Sequence, residues 1–580
     1  MPVNSTKEYF IYIVVAKIII IMSKRNKRNP WTWIPTLYFA EGMPYIIVMF
    51  VASDMYKTMG VSNASLAFWT SILYLPWVIK PLWSPFVDIF STRRKWIFWM
   101  QIILALAFTG ISISLHLPWW FPVTLMFLWV MAFTSATQDI AADGFYMLAL
   151  SEKKQAFFTG IRSTFYRLAM IAGLGLLVII TGLILDNTGL ESKKITVYAV
   201  SSDSFIPKSV SEDDITAFFS TRHKESKPQI VYYPEKLQIP LYNTQSGTDS
   251  INVYFALTSF PRDEDSIKMT FGQKNGSKDI KLTGKSVFVF NKDNWNIPQK
   301  TTIKVAHNLR HPDSAGFDAK AGNIALAWSI SIGTLAILFF LLAFYHKIIL
   351  PYPKGDVSKD KSESASYWSI LAQFFKLKGI IPAIAFLLFY RFSESQLTKM
   401  ASPFLLDSRE NGGLALSLTE KGFAYGTVGL LSLVIGGILG GIVAAKQGLK
   451  KWIWWMAISI NIPNIVYIYM SYAQPSNLYL INSMIAIEQF GYGFGFTGYM
   501  LYMLYLASQS KYKTAHFAIA TGFMALGMMI PGMISGWVQE MLGYSHFFIY
   551  VIICTIPSFI ALWFVSKDLD SSFGMKDDNL

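Results

Sequence analysis

Repeated apolar runs, each about long enough to cross a bilayer, are the feature that most constrains this chain. A transmembrane helix needs roughly 20 mostly apolar residues. Of the 580 residues, 53% are hydrophobic and 15% are charged, whereas soluble domains have roughly 25% charged residues. The pattern predicts a polytopic α-helical protein in a lipid bilayer. Twelve candidate spans begin near Trp31, Ser65, Trp96, Phe121, Gly160, Asn323, Gly379, Gly422, Trp452, Leu478, Thr514 and His546.

The net charge of +14 is explained by the ends of these spans. Cytoplasmic loops of membrane proteins carry an excess of Lys and Arg. With a cytoplasmic N-terminus, the basic clusters at 24–28, 93–95, 153–154, 446–451 and 511–513 all fall inside. The sequence has no basic DNA-reading motif, so we expect no nucleic-acid partner and predict that both termini are cytoplasmic.

Two polar stretches divide the series of spans. Residues 187–322 follow the fifth span and are predicted to be external, and residues 347–378 follow the sixth and are predicted to be cytoplasmic. Six spans, a polar linker and six more spans are typical of the major facilitator architecture. We therefore predict an all-α fold of 12 helices (6+6) with an inserted β domain. The predicted segments are an N-terminal segment at 1–30, helices 1–5 at 31–186, the insert at 187–322, helix 6 at 323–346, the linker at 347–378, helices 7–12 at 379–566 and a tail at 567–580.

The insert has the sequence pattern of a β-sandwich. KITVYAV, INVYFALTSF and KSVFVF alternate branched or aromatic residues with polar ones, and Asn, Asp, Gly and Pro separate such runs. About 130 residues is a typical size for a sandwich. We expect a periplasmic domain that is a candidate contact surface for a periplasmic partner.

The start of the chain has two interpretations. The apolar run at 9–22 is short and contains Lys17, whereas a span needs roughly 20 residues. Met22 directly precedes SKRNKRNPW, an ordinary cytoplasmic start. The true start is therefore Met22, or the segment forms an interfacial or extra helix.

Two carboxylates lie inside the fourth apolar run, in SATQDIAADGFYM. Asp139 and Asp143 are four residues apart, so on a helix they share one face. Neighbouring carboxylates repel, which favours binding of a proton to one of them. The pair is our candidate for proton coupling, and the alternative is that both acids form structural salt bridges.

Further ionisable residues within the spans must face a cavity, a partner or the bundle interior. Several are cations, and Arg holds carboxylate or phosphate through two parallel bonds, so the set predicts an anionic substrate. The candidate substrate-binding residues are Gln138, Lys80, Arg162, Arg167, Tyr390, Arg391, Lys399 and Glu488. The candidate charge-pair or gating residues are Glu41, Asp88, Arg93, Arg94 and Glu394.

Motifs for catalysis or cofactor binding do not stand out. We find no phosphate-binding loop, no metal-ligand spacing and no nucleophile elbow above chance. The single cysteine, Cys554, excludes a disulfide within one chain. We therefore expect no enzyme activity, no catalytic residues, no cofactor and no metal.

Three stretches resemble the AmpG-type muropeptide permeases, a branch of the major facilitator superfamily related to acetyl-CoA transporters. They are SATQDIAADGFYMLALSEKKQAFFTGIRSTFYRLAMIAG, KPLWSPFVD followed by RRKW, and TAHFAIATGFMALGMMIPGMISGWVQEMLGYSHFFIY. The match covers most of the apolar part of the chain in the expected order. The β insert, the extended start, and Ala141, Ala142 and Gly144 around the acids depart from the family pattern.

The resemblance implies proton-driven import of N-acetylglucosaminyl-anhydro-N-acetylmuramic acid bearing a peptide, across the inner membrane of a Gram-negative bacterium. It also implies that Asp139 and Asp143 match the family's paired acids. Two alternatives stay open. One is transport of another bulky anion, such as acetyl-CoA or a sugar acid, and the other is a membrane-anchored receptor or scaffold with an external β domain.

Overall fold

The fold is that of a computed structural model, which describes residues 28–201, 211–222, 228–241, 249–259, 266–353, 355–357, 363–510, 512–570 and 573. The apolar run at 9–22 lies outside these residues, so both interpretations of the start stay predictions. The divisions at 30, 186, 322, 346, 378 and 566 likewise stay predictions.

Long helices make up most of the described chain. We number them in chain order. They are α1 Pro30–Thr58, α2 Asn63–Ile72, α3 Leu75–Phe90, α4 Arg93–Ser114, α5 Trp120–Ala149, α6 Lys153–Asn187, α7 Glu212–Arg222, α8 Ile324–Ile349, α9 Glu363–Phe374, α10 Ile380–Phe389, α11 Phe392–Leu406, α12 Leu418–Gln447, α13 Leu449–Ala473, α14 Leu478–Ser508, α15 Lys513–Ile553 and α16 Ile556–Lys567.

Eight helices within the described ranges are long and apolar enough to cross a membrane. Interrupted helices account for part of the difference between these eight helices and the twelve predicted spans. The stretches containing α2–α3 and α10–α11 are interrupted, and α15 has non-helical backbone at Gly543, with φ 69°. The chain is an integral membrane protein, and the count of twelve spans stays a prediction.

The helices form two groups, which we call the first half (α1–α6 and α8) and the second half (α10–α16). In the first half α1 packs on α6, and α4 packs on both α5 and α8. In the second half α14 packs on α12 and α13, and α11 packs on α15. The halves meet where α2 and α3 contact α15, and where α6 crosses α12.

Small residues allow the closest of these approaches. The α-carbon of Gly426 on α12 faces the backbone of α6, so that an added Cβ would lie 2.2 Å from the Leu174 carbonyl oxygen. Any larger residue would force the two helices apart, because real Cβ atoms do not come so close. Glycine at 426 therefore sets the spacing between α6 and α12.

The insert folds as two β-sheets, as the sequence predicts. The strands are β1 Gly189–Val200, β2 Ile230–Tyr233, β3 Leu237–Pro240, β4 Ser250–Leu257, β5 Ser266–Gly276, β6 Ile280–Leu282, β7 Val287–Asn291, β8 Gln299–Val305 and β9 Asp313–Gly322. Their order is β3-β1-β9-β5-β7 in one sheet and β2-β4-β8-β6 in the other. A common apolar core contains Phe255, Phe271, Phe288 and Phe317, and we call the whole unit the β domain.

Shortening Ile303 in this core should loosen the β domain. Ile303 is fully buried on β8, and Ile303→Val removes one methylene, which costs about 1 kcal/mol in a packed core. We expect faster hydrogen exchange of the β-domain amides in the full-length chain. Val289, which is 49% exposed, provides the control, because Val289→Ala removes apolar atoms that the core does not contain. Equal rates of amide hydrogen exchange in Ile303→Val and Val289→Ala would contradict the packing of Ile303 in this core.

Candidate functional site

Four helices of the first half bring a group of ionisable side chains together. Asp139 on α5 accepts a hydrogen bond from the Trp77 indole N–H at 3.1 Å, and the Lys80 ammonium lies 3.4 Å from the same carboxylate oxygen. Trp77 and Lys80 are three residues apart on α3, so one helical face supplies both. The sequence predicts Lys80, and the structure adds Trp77.

Asp143, one turn further along α5, has a separate cation. The Arg162 guanidinium of α6 lies 3.1 Å from its carboxylate. The Tyr38 hydroxyl of α1 donates to the same carboxylate oxygen at 3.1 Å and accepts from Arg162 at 3.1 Å. The guanidinium also lies over the Tyr38 ring, 4.8 Å from its centroid. The two acids predicted on one face are therefore each paired with a different base.

Glu41 is a third acid in this group. It lies on α1 one turn from Tyr38, is 7% exposed, and is within electrostatic reach of both aspartates. Its Oε2 has no hydrogen-bond partner. A buried carboxylate oxygen without a donor is costly when ionised, so Glu41 is a second candidate for carrying a proton.

The acid–base pairs are accessible although they lie among helices. The side chains of Asp143 and Arg162 are 42% and 32% exposed, whereas those of Asp139 and Lys80 are 15% and 27% exposed. Asp143 is six residues from the end of α5 at Ala149, about 9 Å along the helix. The pairs are therefore partly exposed, and Asp143 lies near the end of the bundle away from the β domain.

The second half presents cations toward the same region. Arg391 donates to the Tyr492 hydroxyl at 2.6 Å and is 8% exposed. Tyr45 of the first half is within electrostatic reach of both Arg391 and Asp139. Tyr45 is therefore within electrostatic reach of one charged group from each half.

Lys399 lies deeper between the halves. It is 3% exposed and donates to the Thr70 hydroxyl at 3.1 Å and to the Met49 carbonyl at 3.4 Å. Within the described ranges we find no carboxylate in salt-bridge distance of Arg391 or Lys399. The first half thus pairs its cations with acids, while these two cations of the second half have neutral partners.

Glu394 and Glu488 form a second buried acidic group. Both are 2% exposed. Thr398 donates to Glu394 Oε1 at 2.7 Å, while Glu394 Oε2 has no partner. Gln489 donates to Glu488 at 2.9 Å and to the Tyr425 hydroxyl at 3.1 Å. Glu394 is within electrostatic reach of Arg391 but forms no ion pair with it.

The other candidate residues lie at different places. The Tyr390 hydroxyl donates to the Gly495 carbonyl at 3.0 Å, and its ring stacks on Tyr499. Gln138 is buried and donates to the Ala40 carbonyl at 3.1 Å. The Arg167 guanidinium approaches Gly437 on α12. Substrate contact by these three residues stays a prediction.

The basic pair after α3 contacts the segment that follows α8. The backbone N–H groups of Arg93 and Arg94 donate to the Asp356 carboxylate at 2.7 and 3.1 Å. The Arg93 guanidinium also donates to the Gly144 carbonyl at 3.2 Å, beside the acids of α5. The side chain of Asp88 lies outside the described residues, so its predicted role as a latch stays a prediction.

A buried ion pair that the sequence analysis missed joins the two halves at the β-domain end. The Lys421 ammonium of α12 lies 2.5 Å from the Asp54 carboxylate of α1, with side chains 1% and 0% exposed. The Ser402 hydroxyl of α11 donates to the same carboxylate. The sequence analysis does not single out either residue, and only the pairing across the halves distinguishes them from other charges near the ends of apolar runs.

A second junction lies beside that ion pair. Lys57 forms an ion pair with Asp407 at 2.6 Å, and Tyr544 donates to Asp407 at 2.6 Å. Asn63 donates to Gln539 at 2.6 Å. Together with the ion pair of Lys421, these contacts close the β-domain end of the bundle, so we call them the gate.

Removing the Tyr38 hydroxyl should weaken the Asp143 group. A hydrogen bond to a charged group contributes about 1.5–3 kcal/mol, so we expect Tyr38→Phe to lower transport by roughly tenfold or more. Tyr198 of β1 provides a matched control, because it is 49% exposed and Tyr198→Phe should leave transport unchanged. Uptake into proteoliposomes measures both, and an unimpaired Tyr38→Phe protein would contradict a role for the hydroxyl.

Comparison of sequences finds similarity to proteins named as putative transporters. A family model described as the BT1 family matches residues 39–278. The chain is 28% identical over 241 residues to the "Putative transporter AmpG 2" of Rickettsia prowazekii, covering 41% of this chain and 53% of that protein. It is 21% identical to the "Putative transporter AmpG 4" of Rickettsia conorii, covering 70% and 96%. The chain spans about half the length of most relatives that it matches.

Solved structures show the same fold. A D-xylose–proton symporter superposes with a TM-score of 0.53 at 10% identity, covering 93% of this chain and 98% of that one. A bacterial homologue of the human lysosomal transporter Spinster, in an inward-facing and unoccupied conformation, superposes with a TM-score of 0.51 at 14% identity, covering 92% and 95%. At such identities the likeness shows the fold alone.

The chain is therefore an integral membrane protein with the fold of these solved transporter structures, and its sequence is similar to proteins named as putative transporters. Its resemblance to AmpG-type permeases, first drawn from the residues around Asp139 and Asp143, is confirmed by the sequence comparisons.

Proposed function

We propose that this transporter imports anionic muropeptides together with protons, by alternating access between its two halves. The observation that carries the proposal is the pairing of Asp139 with Lys80 and of Asp143 with Arg162, opposite two cations that have neutral partners. The muropeptide cargo follows from the resemblance to AmpG-type permeases. The pairs supply a means of taking up one proton together with each substrate anion.

The joint uptake of an anion and a proton follows from charge balance. A carboxylate of the substrate competes with Asp143 for the Arg162 guanidinium, since both bind through charge-assisted hydrogen bonds. The displaced aspartate would be an unpaired charge among helices, which is costly. Binding a proton removes that charge. The site therefore has the same net charge before and after it takes up one anion and one proton.

The second half completes the proposed site. Arg391 and Lys399 each have neutral hydrogen-bond partners, so an incoming anion need not displace a carboxylate from them. Tyr45 and Trp77, which pack edge to face with ring centroids 5.3 Å apart, offer apolar surface for a sugar ring. We assign substrate holding to these cations and proton exchange to the aspartates.

The proposed orientation places the β domain in the periplasm. The basic clusters at 93–95 and 446–451 then lie on the cytoplasmic side, in the inner membrane of a Gram-negative bacterium. The gate would close the periplasmic end, and the partly exposed pair of Asp143 and Arg162 would lie nearer the cytoplasm. This arrangement is the one expected after substrate has been delivered inward.

Uptake into proteoliposomes tests the proposal. We expect labelled N-acetylglucosaminyl-anhydromuramyl tripeptide to accumulate in the lumen when the outside is more acidic than the lumen. When a protonophore removes the gradient, the labelled compound should reach equal concentrations inside and outside and no more. Unlabelled acetyl-CoA and a sugar acid should not compete. Accumulation that does not depend on the pH gradient would overturn proton coupling. Competition by acetyl-CoA would overturn the assignment of muropeptides as the cargo.

A further inference from the structure

One strand of the β domain lies across the boundary between the two halves of the transporter. The Lys268 ammonium of β5 lies beside Gly60, in the loop between α1 and α2. Further along β5, the backbone N–H of Gln273 donates to the Glu410 carboxylate of the second half at 2.7 Å. Lys268 and Gln273 are five residues apart, about 17 Å along a strand, so β5 reaches from one half to the other.

Additional contacts fix the far end of β5 to the second half. The Lys274 ammonium lies 2.6 Å from Glu420 Oε2 and donates to the Ala415 carbonyl at 2.8 Å. Lys278, in the turn after β5, donates to the Tyr472 carbonyl. We call these contacts, together with that of Gln273 and Glu410, the clasp. The clasp joins the β domain to the loop before α12, to the start of α12 and to the end of α13.

The other attachment of the β domain is covalent and short. β1 begins two residues after α6 ends at Asn187, and α8 begins two residues after β9 ends at Gly322. Gly189 pairs with Gly322, and the Asn323 backbone N–H donates to the Thr188 carbonyl at 3.4 Å. Both connections lack a flexible linker, so the β domain moves with the first half.

The clasp lies directly over the gate. Glu420, which binds Lys274 of the β domain, is adjacent in sequence to Lys421, which binds Asp54 of the first half. Opening the β-domain end requires α12 to separate from α1. Because the β domain moves with the first half, the same separation must break the clasp.

We propose that the clasp is a conformational lock. Through it the β domain holds the transporter closed at the β-domain end, and it must release the second half in each transport cycle. The proposal requires alternating access but neither the muropeptide cargo nor proton coupling. A ligand that bound Lys274 or Lys278 in competition with the second half would open the gate, since it would remove contacts made only in the closed state.

Reactivity of a cysteine beneath the gate measures the opening. Ser53 is 5% exposed and lies 3.4 Å from Thr70, so Ser53→Cys is a small change at a buried position. The background is Cys554→Ala, which removes the single native cysteine. The full-length chain in lipid nanodiscs is labelled with a maleimide, and the labelling rate follows the population of the open gate. Both ends are accessible in nanodiscs, so the result does not depend on orientation.

Two variants on opposite sides of the clasp should act alike. Lys274→Ala removes the ion pair from the β domain, and Glu410→Ala removes the acceptor of Gln273 from the second half. We expect each to raise the labelling rate by roughly two- to fivefold, the range for one half-exposed ion pair. Lys281→Ala, at an exposed lysine on β6 in the other sheet of the β domain, should leave the rate unchanged.

Glu410→Ala makes the test decisive because it leaves the sequence of the β domain intact. Unchanged or slower labelling in this variant would overturn the proposal, whatever Lys274→Ala does through the folding of its own domain. A labelling rate for Glu410→Ala no higher than that for Lys281→Ala would also overturn the proposal. Transport assays are not needed for either outcome, so a wrong cargo would not affect the result.

Discussion

Replacing Lys421 with Ala should open the gate and destabilise the protein. Lys421 and Asp54 are almost completely buried, 2.5 Å apart. Removing one partner of a buried ion pair leaves an uncompensated charge, which costs roughly 3–5 kcal/mol. That loss applies to the closed gate, where the two side chains meet. We expect a lower melting temperature, much faster labelling of Ser53→Cys, and weak uptake because the gate no longer closes.

Two control variants separate charge from packing. Lys446, on the same helix, is exposed, so Lys446→Ala should change neither melting nor labelling. The double variant with Asp54→Leu and Lys421→Met removes both charges and keeps apolar volume, and such replacements are often neutral or stabilising. We expect it to recover most of the lost stability. A double variant as unstable as Lys421→Ala would show that shape, and not the unpaired charge, causes the effect.

The same ion pair shows why the sequence could not predict the gate. Asp54 and Lys421 are separated by 367 residues, and each lies near the end of an apolar run, where charges normally meet water or headgroups. Local spacing can place two residues on one helical face, as it does for Asp139 and Asp143. It cannot show which of many flanking charges meet across two halves of the molecule.

The acid–base pairs were predictable in part. The four-residue spacing of Asp139 and Asp143 follows from helical geometry, and Lys80 and Arg162 were recognised as ionisable residues within apolar runs. Which base binds which acid depends on how α3 and α6 pack against α5. Tyr38 and Trp77 gave no signal, because aromatic residues are common throughout the membrane segments and only contact distinguishes these two.

The β domain shows a similar limit. Its strongly alternating strands, such as INVYFALTSF, were predictable. β9 was not, since its buried positions are Ala315, Phe317, Ala319 and Ala321, and alanine has low strand propensity. β9 pairs with β1 and β5 in the centre of its sheet, where small side chains fit between neighbours. Tertiary packing therefore decided the strand against its local preference.

The second large effect concerns Asp143, whose ion pair with Arg162 is more exposed than the ion pair of Asp139 with Lys80. Asp143→Asn keeps the shape of the side chain and mimics the protonated acid, so substrate can still bind, but no proton can be carried. A gradient of one pH unit is worth about 1.4 kcal/mol per proton, a tenfold accumulation at one proton per substrate. We expect Asp143→Asn to lose this accumulation completely and to equilibrate its substrate across the membrane.

Counterflow distinguishes lost coupling from lost binding. Proteoliposomes preloaded with unlabelled muropeptide, without a pH gradient, should still exchange it for labelled muropeptide in the Asp143→Asn protein, because exchange needs no net proton movement. Asp186, exposed at the end of α6, provides the matched substitution, and Asp186→Asn should accumulate substrate normally. If Asp143→Asn still accumulates substrate in response to the gradient, the proton is carried elsewhere. In that case Glu41, buried one turn from Tyr38 with an unpartnered oxygen, is the next residue to replace, by Gln in the same assay.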